Sequence, residues 1–147
     1  MDARPANRHD IVLVVEDEPF TRWMAADILS SAGFVVLEAG SAGEALPILE
    51  AHEDVRVVFT DVEMPGPFDG LELARRIGER WPSIGVVITS GRPLYKEKVP
   101  ETHTFLAKPY TGPALVRQIE DITQETAEAR FELSNSGVAC MCREREA

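Results

Sequence analysis

Five short stretches of the chain are almost uniformly apolar, and all but the fourth are followed by a stretch with helical signals. Ile11-Val12-Leu13-Val14-Val15 has no polar alternation, which predicts a strand buried on both faces. Phe34 to Ala39, Val55 to Phe59 running on to Asp61, Gly85 to Thr89 and Thr104 to Ala107 read the same way, with Arg56 the one polar interruption in the third. Between them, Pro19 suits a first helical turn, and Phe20, Met24 and Ile28, with Trp23 beside them, form a four-spaced stripe that ends near Gly33. Ser41 to Glu44 is a capping-box pattern and starts a helix running to about His52. Pro47 inside it predicts a bend or a late start. Leu73, Ile77 and Trp81, with Leu71 and Ala74, predict an amphipathic third helix closed by Pro82. The stripes containing Trp23 and Trp81 are both read as core. Ser90 to Thr102 holds Gly91, Pro93 and Pro100, so the fourth helix is expected to be short or irregular. Leu115, Ile119 and Ile122 mark a fifth, starting near Gly112-Pro113.

Strands alternating with helices make a doubly wound α/β fold with a five-stranded parallel sheet, and right-handed crossovers leave few topologies. The residues at the strand ends narrow these further. Strands one, three, four and five end at Asp17, Asp61, Thr89 and Lys108, whereas the second ends in the chemically blank Gly40. The flavodoxin-like order 2-1-3-4-5 puts the second strand at an edge and the first and third beside the crevice.

With 44% hydrophobic residues and 27% charged ones, the 147 residues suit one domain with a real core, assigned to 10–124. Residues 1–9 are expected to be a disordered leader, and 125–147 a tail that extends the fifth helix or packs on the domain through Phe131 and Leu133. A net charge of -10 argues against a nucleic-acid surface and against anionic lipid. No run is apolar for long enough to span a bilayer, so a cytoplasmic protein is expected. Cys140 and Cys142 are too close to staple a fold and lack a second ligand pair for zinc. His9, His52 and His103 share no motif and are read as surface residues.

The strand-end residues suggest a chemistry. A carboxylate can attack phosphorus to form an acyl phosphate, but an anion attacking an anion needs its charge neutralised. Glu16, Asp17 and Asp61, if gathered, form a hard oxygen site suited to Mg²⁺. Lys108 can meet one phosphate oxygen and the Thr89 hydroxyl another. Taken singly, each residue has a plain structural reading: Asp61 as a helix cap, Glu16 and Asp17 as a solvated turn, Thr89 as a strand-end hydroxyl, Lys108 as a surface lysine.

The acidic pair Glu16-Asp17, Asp61 in a D-x-x-M-P context, Thr89 and Lys108-Pro109 together resemble a two-component response-regulator receiver domain, over about Ile11 to Thr123. The resemblance implies that Asp61 accepts a phosphoryl group from a histidine kinase or histidine phosphotransfer protein. It also implies that Thr89 and Phe105 are switch residues and that the backbone carbonyl of Glu63 completes the metal shell. The expected protein is not an enzyme beyond its own phosphorylation and dephosphorylation. It signals by contact with a downstream protein, as a monomer or weak dimer. Gly70 lies nine residues after Asp61, one more than is usual, and the stretch from Thr89 to Lys108 is short. Both features resemble small stand-alone alphaproteobacterial receivers. Two rival readings stand beside it: a receiver-fold interaction module that does not cycle phosphate, and a small phosphatase with an aspartyl nucleophile. The second is disfavoured because Glu63 occupies the place of the usual second Asp. A flavin carrier fits poorly with Glu16-Asp17-Glu18 where a phosphate cradle belongs.

Overall fold

A computed structural model describes residues 10–100 and 102–124. The leader 1–9 and the tail 125–147, with Phe131, Leu133, Cys140 and Cys142, lie outside them. The order of elements is β1 (Ile11–Val15), α1 (Pro19–Ser31), β2 (Val35–Ala39), α2 (Ala42–Ala51), β3 (Val55–Asp61), α3 (Gly70–Arg80), β4 (Gly85–Ser90), α4 (Pro93–Lys98) and β5 (Thr104–Ala107). A last helix, α5, covers residues 112–124. All strand pairs are parallel and the sheet order is β2-β1-β3-β4-β5, as the strand ends predict. As expected, α4 is reduced to a six-residue 3₁₀ helix.

Burial follows the order. Residues Val12 to Val15 of β1 and Val57 to Asp61 of β3 are buried throughout, whereas the edge strands β2 and β5 are partly exposed. Alternate residues feed opposite layers: Leu13 and Val15 join Leu49, Leu73 and Ile77 of α2 and α3, while Val12 and Val14 join Leu29, Leu115 and Ile119 of α1 and α5. Among the described residues no helix is long and apolar enough to cross a membrane.

Three expectations need correcting. Of the stripe of Phe20, Met24 and Ile28 with Trp23, only Ile28 packs against the core; Phe20, Trp23 and Met24 are 64%, 57% and 44% exposed. The face of α1 that meets the sheet is Ala25, Ala26 and Leu29, because small side chains let the helix sit close and turn the bulky ones outward. Trp81, by contrast, does pack against the core, with the Arg80 guanidinium over its ring. Second, α2 starts at Ala42 without delay. Pro47 and the Gly43 carbonyl that loses its donor both lie on the solvent side, where water can replace the missing bond. Half of the capping box forms as expected, Ser41 Oγ accepting from Glu44 N–H, while the return bond falls one residue early, Glu44 Oε1 accepting from Gly40 N–H. Third, His52 is exposed as expected but His103 is half-buried, and burial lowers its pKa.

The loop after β3 turns at Gly66, which takes a positive φ of 113°. At its end Gly70 donates to the Val62 carbonyl at 3.0 Å, so close that a Cβ at Gly70 would collide with the Asp61 carbonyl.

Candidate functional site: an acidic cluster at the carboxyl ends of the strands

Strand register builds the site. Asp61, the last residue of β3, pairs with Thr89 of β4, and Val15 of β1 pairs with Thr60, so Glu16 and Asp17 emerge beside Asp61. One carboxylate oxygen from each of Glu16, Asp17 and Asp61 lies within 4.8 Å of the others. Asp61 is only 5% exposed. Lys108 reaches over from the end of β5, its Nζ 3.0 Å from Asp61 Oδ2 and 3.7 Å from Glu16 Oε1.

The electrostatics are unbalanced in a way that matters. Burial raises the Glu16 carboxyl from 4.5 to about 7, with the Asp61 charge adding to the effect and the Glu18 N–H and Lys108 opposing it. Burial works against the Lys108 ammonium, yet the Asp61 hydrogen bond and the charges of Asp61 and Glu16 outweigh it and raise its pKa. One lysine does not satisfy two buried carboxylates and their exposed neighbour Asp17. Asp61 Oδ1 is buried and has no hydrogen-bond partner among the described residues. A buried carboxylate oxygen without a partner is costly, and here it faces a cluster of hard oxygen donors. The residues therefore fit a divalent cation of the Mg²⁺ type.

The other predicted residues are placed as follows. Thr89 is buried, and its hydroxyl donates to the Leu106 carbonyl of β5 at 2.6 Å. Phe105 is partly buried, packs against the core and lines a cavity of about 200 Å³ together with Ser90, Gly91, Pro93, Lys96, Ala107 and Lys108. Glu63 sends its carboxylate to Ser90 Oγ and to Arg92 Nε, the latter at 3.0 Å.

Sequence reasoning missed two supports. Arg22 Nη1 donates to the Glu16 carbonyl at 2.8 Å while its Nε reaches Glu38 at 3.3 Å, so it holds the acidic turn against β2. An arginine in the first turn of a helix, where the dipole disfavours a cation, was the signal for a tertiary partner. Ser90 and Arg92 had no such local mark.

The comparisons agree with this geometry. The family model for the response regulator receiver domain matches residues 12–120. The chain belongs to this family. It is similar to the Sensor kinase CckA of Brucella abortus, 33% identical over 119 residues, covering 78% of this chain and 12% of the kinase. It is also similar to the Transcriptional regulatory protein GlrR of Escherichia coli, 30% identical over 136 residues, covering 90% of this chain and 29% of the regulator. This receiver thus spans less than a third of those two proteins' length. Among solved structures, the receiver domain of NtrX from Brucella abortus superposes with a TM-score of 0.70 at 30% identity, over 77% of this chain and 98% of that one. A CheY-like receiver domain protein from Methanospirillum hungatei superposes at 0.72 over 82% and 98%; at 20% identity it supports the fold alone. Receivers are signalling modules that work with histidine kinases and phosphotransfer proteins.

Proposed function

We propose that this receiver accepts a phosphoryl group on Asp61 from a phosphohistidine of a histidine kinase or histidine phosphotransfer protein, and signals through contact with a downstream protein. The observation that carries the reading is the buried, unpartnered Asp61 Oδ1 flanked by Glu16, Asp17 and Lys108. In the transfer an Asp61 carboxylate oxygen forms the new O–P bond, and the N–P bond breaks with its electron pair returning to the imidazole. Glu16, Asp17, Asp61 and the Glu63 backbone carbonyl would hold Mg²⁺, which would supply charge neutralisation for the meeting of two anions. Lys108 Nζ, already on Asp61, can follow the charge onto a phosphoryl oxygen. The Thr89 hydroxyl exchanges the Leu106 carbonyl for a second phosphoryl oxygen, and Phe105 has the adjoining cavity to turn into.

The surface beside the site supports a protein donor. The exposed Phe20 and Trp23 rings stack at 6.1 Å. Next to them a groove of about 620 Å³ runs from Met24 and Ile28 to Tyr110, Pro109 and Lys108 itself. A phosphohistidine protein that reaches Asp61 meets this apolar face on the way. A cytoplasmic location goes with the reading.

The test is intact mass with acetyl phosphate and Mg²⁺ on wild type and Asp61→Asn. A single Mg²⁺-dependent phosphoryl adduct on the wild type and none on the variant is expected. No adduct, and no Mg²⁺-dependent fluorescence response to beryllofluoride, would leave a phosphate-independent interaction module. Sustained turnover of a phosphomonoester would instead favour the phosphatase.

A further inference from the structure

The turn that carries Glu16 and Asp17 is tied down from several directions. The Glu16 N–H donates to the Ala39 carbonyl of β2 at 3.0 Å, and the Glu18 N–H donates to Glu16 Oε2 at 3.1 Å. Arg22 Nη1 donates to the Glu16 carbonyl at 2.8 Å, while its Nε reaches Glu38 Oε1, on β2, at 3.3 Å. One guanidinium thus spans from the turn to the edge strand. The end of β2 leaves room for it: a Cβ at Gly40 would lie 3.4 Å from Arg22 Nη1. A cation in the first turn of α1 meets the unfavourable end of the helix dipole, which these two acceptors offset.

Asp17 is where the tie matters. Glu16 and Asp61 are buried and held by packing, whereas Asp17 is exposed. The Glu16 carbonyl belongs to the planar peptide group that leads into Asp17, so the Arg22 bond fixes the plane from which the Asp17 carboxylate projects. Mg²⁺ demands near-ideal octahedral placement of its oxygens, while Ca²⁺ accepts a looser and more variable shell. Rigidity of the ligands therefore separates the two ions, and groups that hold the ligands from outside the shell control it.

Resting on the metal-dependent acceptor reading of Asp61, the structure assigns Arg22 as a positioning residue that makes the acidic site selective for Mg²⁺ over Ca²⁺. It pins the Glu16-Asp17 turn to β2 through the Glu16 carbonyl and Glu38, and the planar fork of a guanidinium meets both acceptors at once. Arg22 acts through the backbone of the turn and contributes no ligand. Its charge alone would do the reverse. A cation beside the cluster repels Mg²⁺ and Ca²⁺ alike, since both carry the same charge, so removing it would tighten both.

The test is calorimetric titration of the full chain with Mg²⁺ and, separately, with Ca²⁺, without phosphodonor, on wild type, Arg22→Met and Glu38→Ala. Arg22→Met should bind Mg²⁺ roughly 10-fold more weakly and Ca²⁺ with a much smaller loss, so that the preference for Mg²⁺ shrinks. Glu38→Ala should shift the preference the same way by a smaller factor, and the double variant should be no worse than Arg22→Met alone. Unchanged or tighter binding of both ions by Arg22→Met overturns the proposal, because charge then dominates. An equal loss for the two ions also overturns it, as that is what a loosened fold gives. If thermal unfolding in chelator shows that Arg22→Met does not fold, Glu38→Ala decides, since it removes only a half-exposed side chain at the sheet edge. An unchanged Mg²⁺-to-Ca²⁺ ratio in that variant then overturns the proposal. Wild type that binds no Mg²⁺ removes the metal reading and the pin together, whereas wild type that binds Mg²⁺ with a preference indifferent to Arg22 removes the pin alone.

Discussion

In α3 the four-spaced residues Leu73 and Ile77 are fully buried and Trp81 packs at the rim of the same layer. In α1 the equally four-spaced Phe20 and Met24, with Trp23, look into solvent, and only Ile28 at the end of that stripe touches the core. The period is the same, so period fixes that a helix has an apolar face without saying whether that face meets the sheet. What separates the two is the rest of each helix. The back of α3 is Glu72, Arg75, Arg76 and Glu79, joined by ion pairs of 2.6 to 3.0 Å, so only one face can be buried. The other face of α1 offers Ala25, Ala26 and Leu29, a second apolar stripe of smaller residues, and close approach to the sheet selects it. An exposed aromatic pair is then left beside the groove that runs from Met24 and Ile28 to Lys108.

The largest effect that sharpens this contrast is a truncation in the buried stripe. Ile77→Ala should cost about 2–5 kcal/mol in urea unfolding, since Ile77 is fully enclosed and its removal leaves a cavity. A cost below that of an ordinary surface change would break the distinction.

A middle-sized effect lies at the root of α1, where Glu16 is held neutral-leaning by burial. Its folded pKa of about 7 stands above its ordinary 4.5, so the folded state binds the proton more tightly. Metal-free protein should therefore lose stability as pH rises from about 4.5 through about 7. Glu16→Gln, which stays neutral, should be more stable than wild type by roughly 1–2 kcal/mol at pH 8, with the gap closing towards pH 5. Thermal unfolding in chelator at the two pH values measures this; equal melting at pH 8 would count against a buried, charge-stressed Glu16.

The smallest effect on stability is expected on the exposed stripe. Trp23→Ala should change the unfolding free energy by no more than about 0.5 kcal/mol. Its signature is kinetic: phosphorylation by a phosphohistidine protein should fall by a larger factor than phosphorylation by acetyl phosphate, which needs no protein surface. A stability loss comparable with that of Ile77→Ala, or equal factors for the two donors, would return Trp23 to the core or take the face out of partner binding.

Much of the site was legible because its residues sit where strands end. Asp17, Asp61, Thr89 and Lys108 follow directly from reading five apolar runs and asking what comes next, and the shortened α4 follows from Pro93 and Pro100 in a short stretch. The contacts of Glu63 with Ser90 and Arg92 were not legible. Ser90 lies 27 residues from Glu63, and the two meet only because β3 and β4 are neighbours whose ends are level. The role of Arg22 showed only as an oddly placed charge.

The strands, the order of the sheet and the acidic residues of the cluster could be read from the residues alone, because strand burial and strand-end chemistry are written locally, a few residues at a time. Long-range packing sets which face of α1 is inside, that Thr89 rests on Leu106, that Glu63 pairs with Arg92, and that Asp61 keeps one buried oxygen unpartnered among the described residues. Each of these depends on how closely two distant segments approach, and that distance is set by the packing of all the side chains between them.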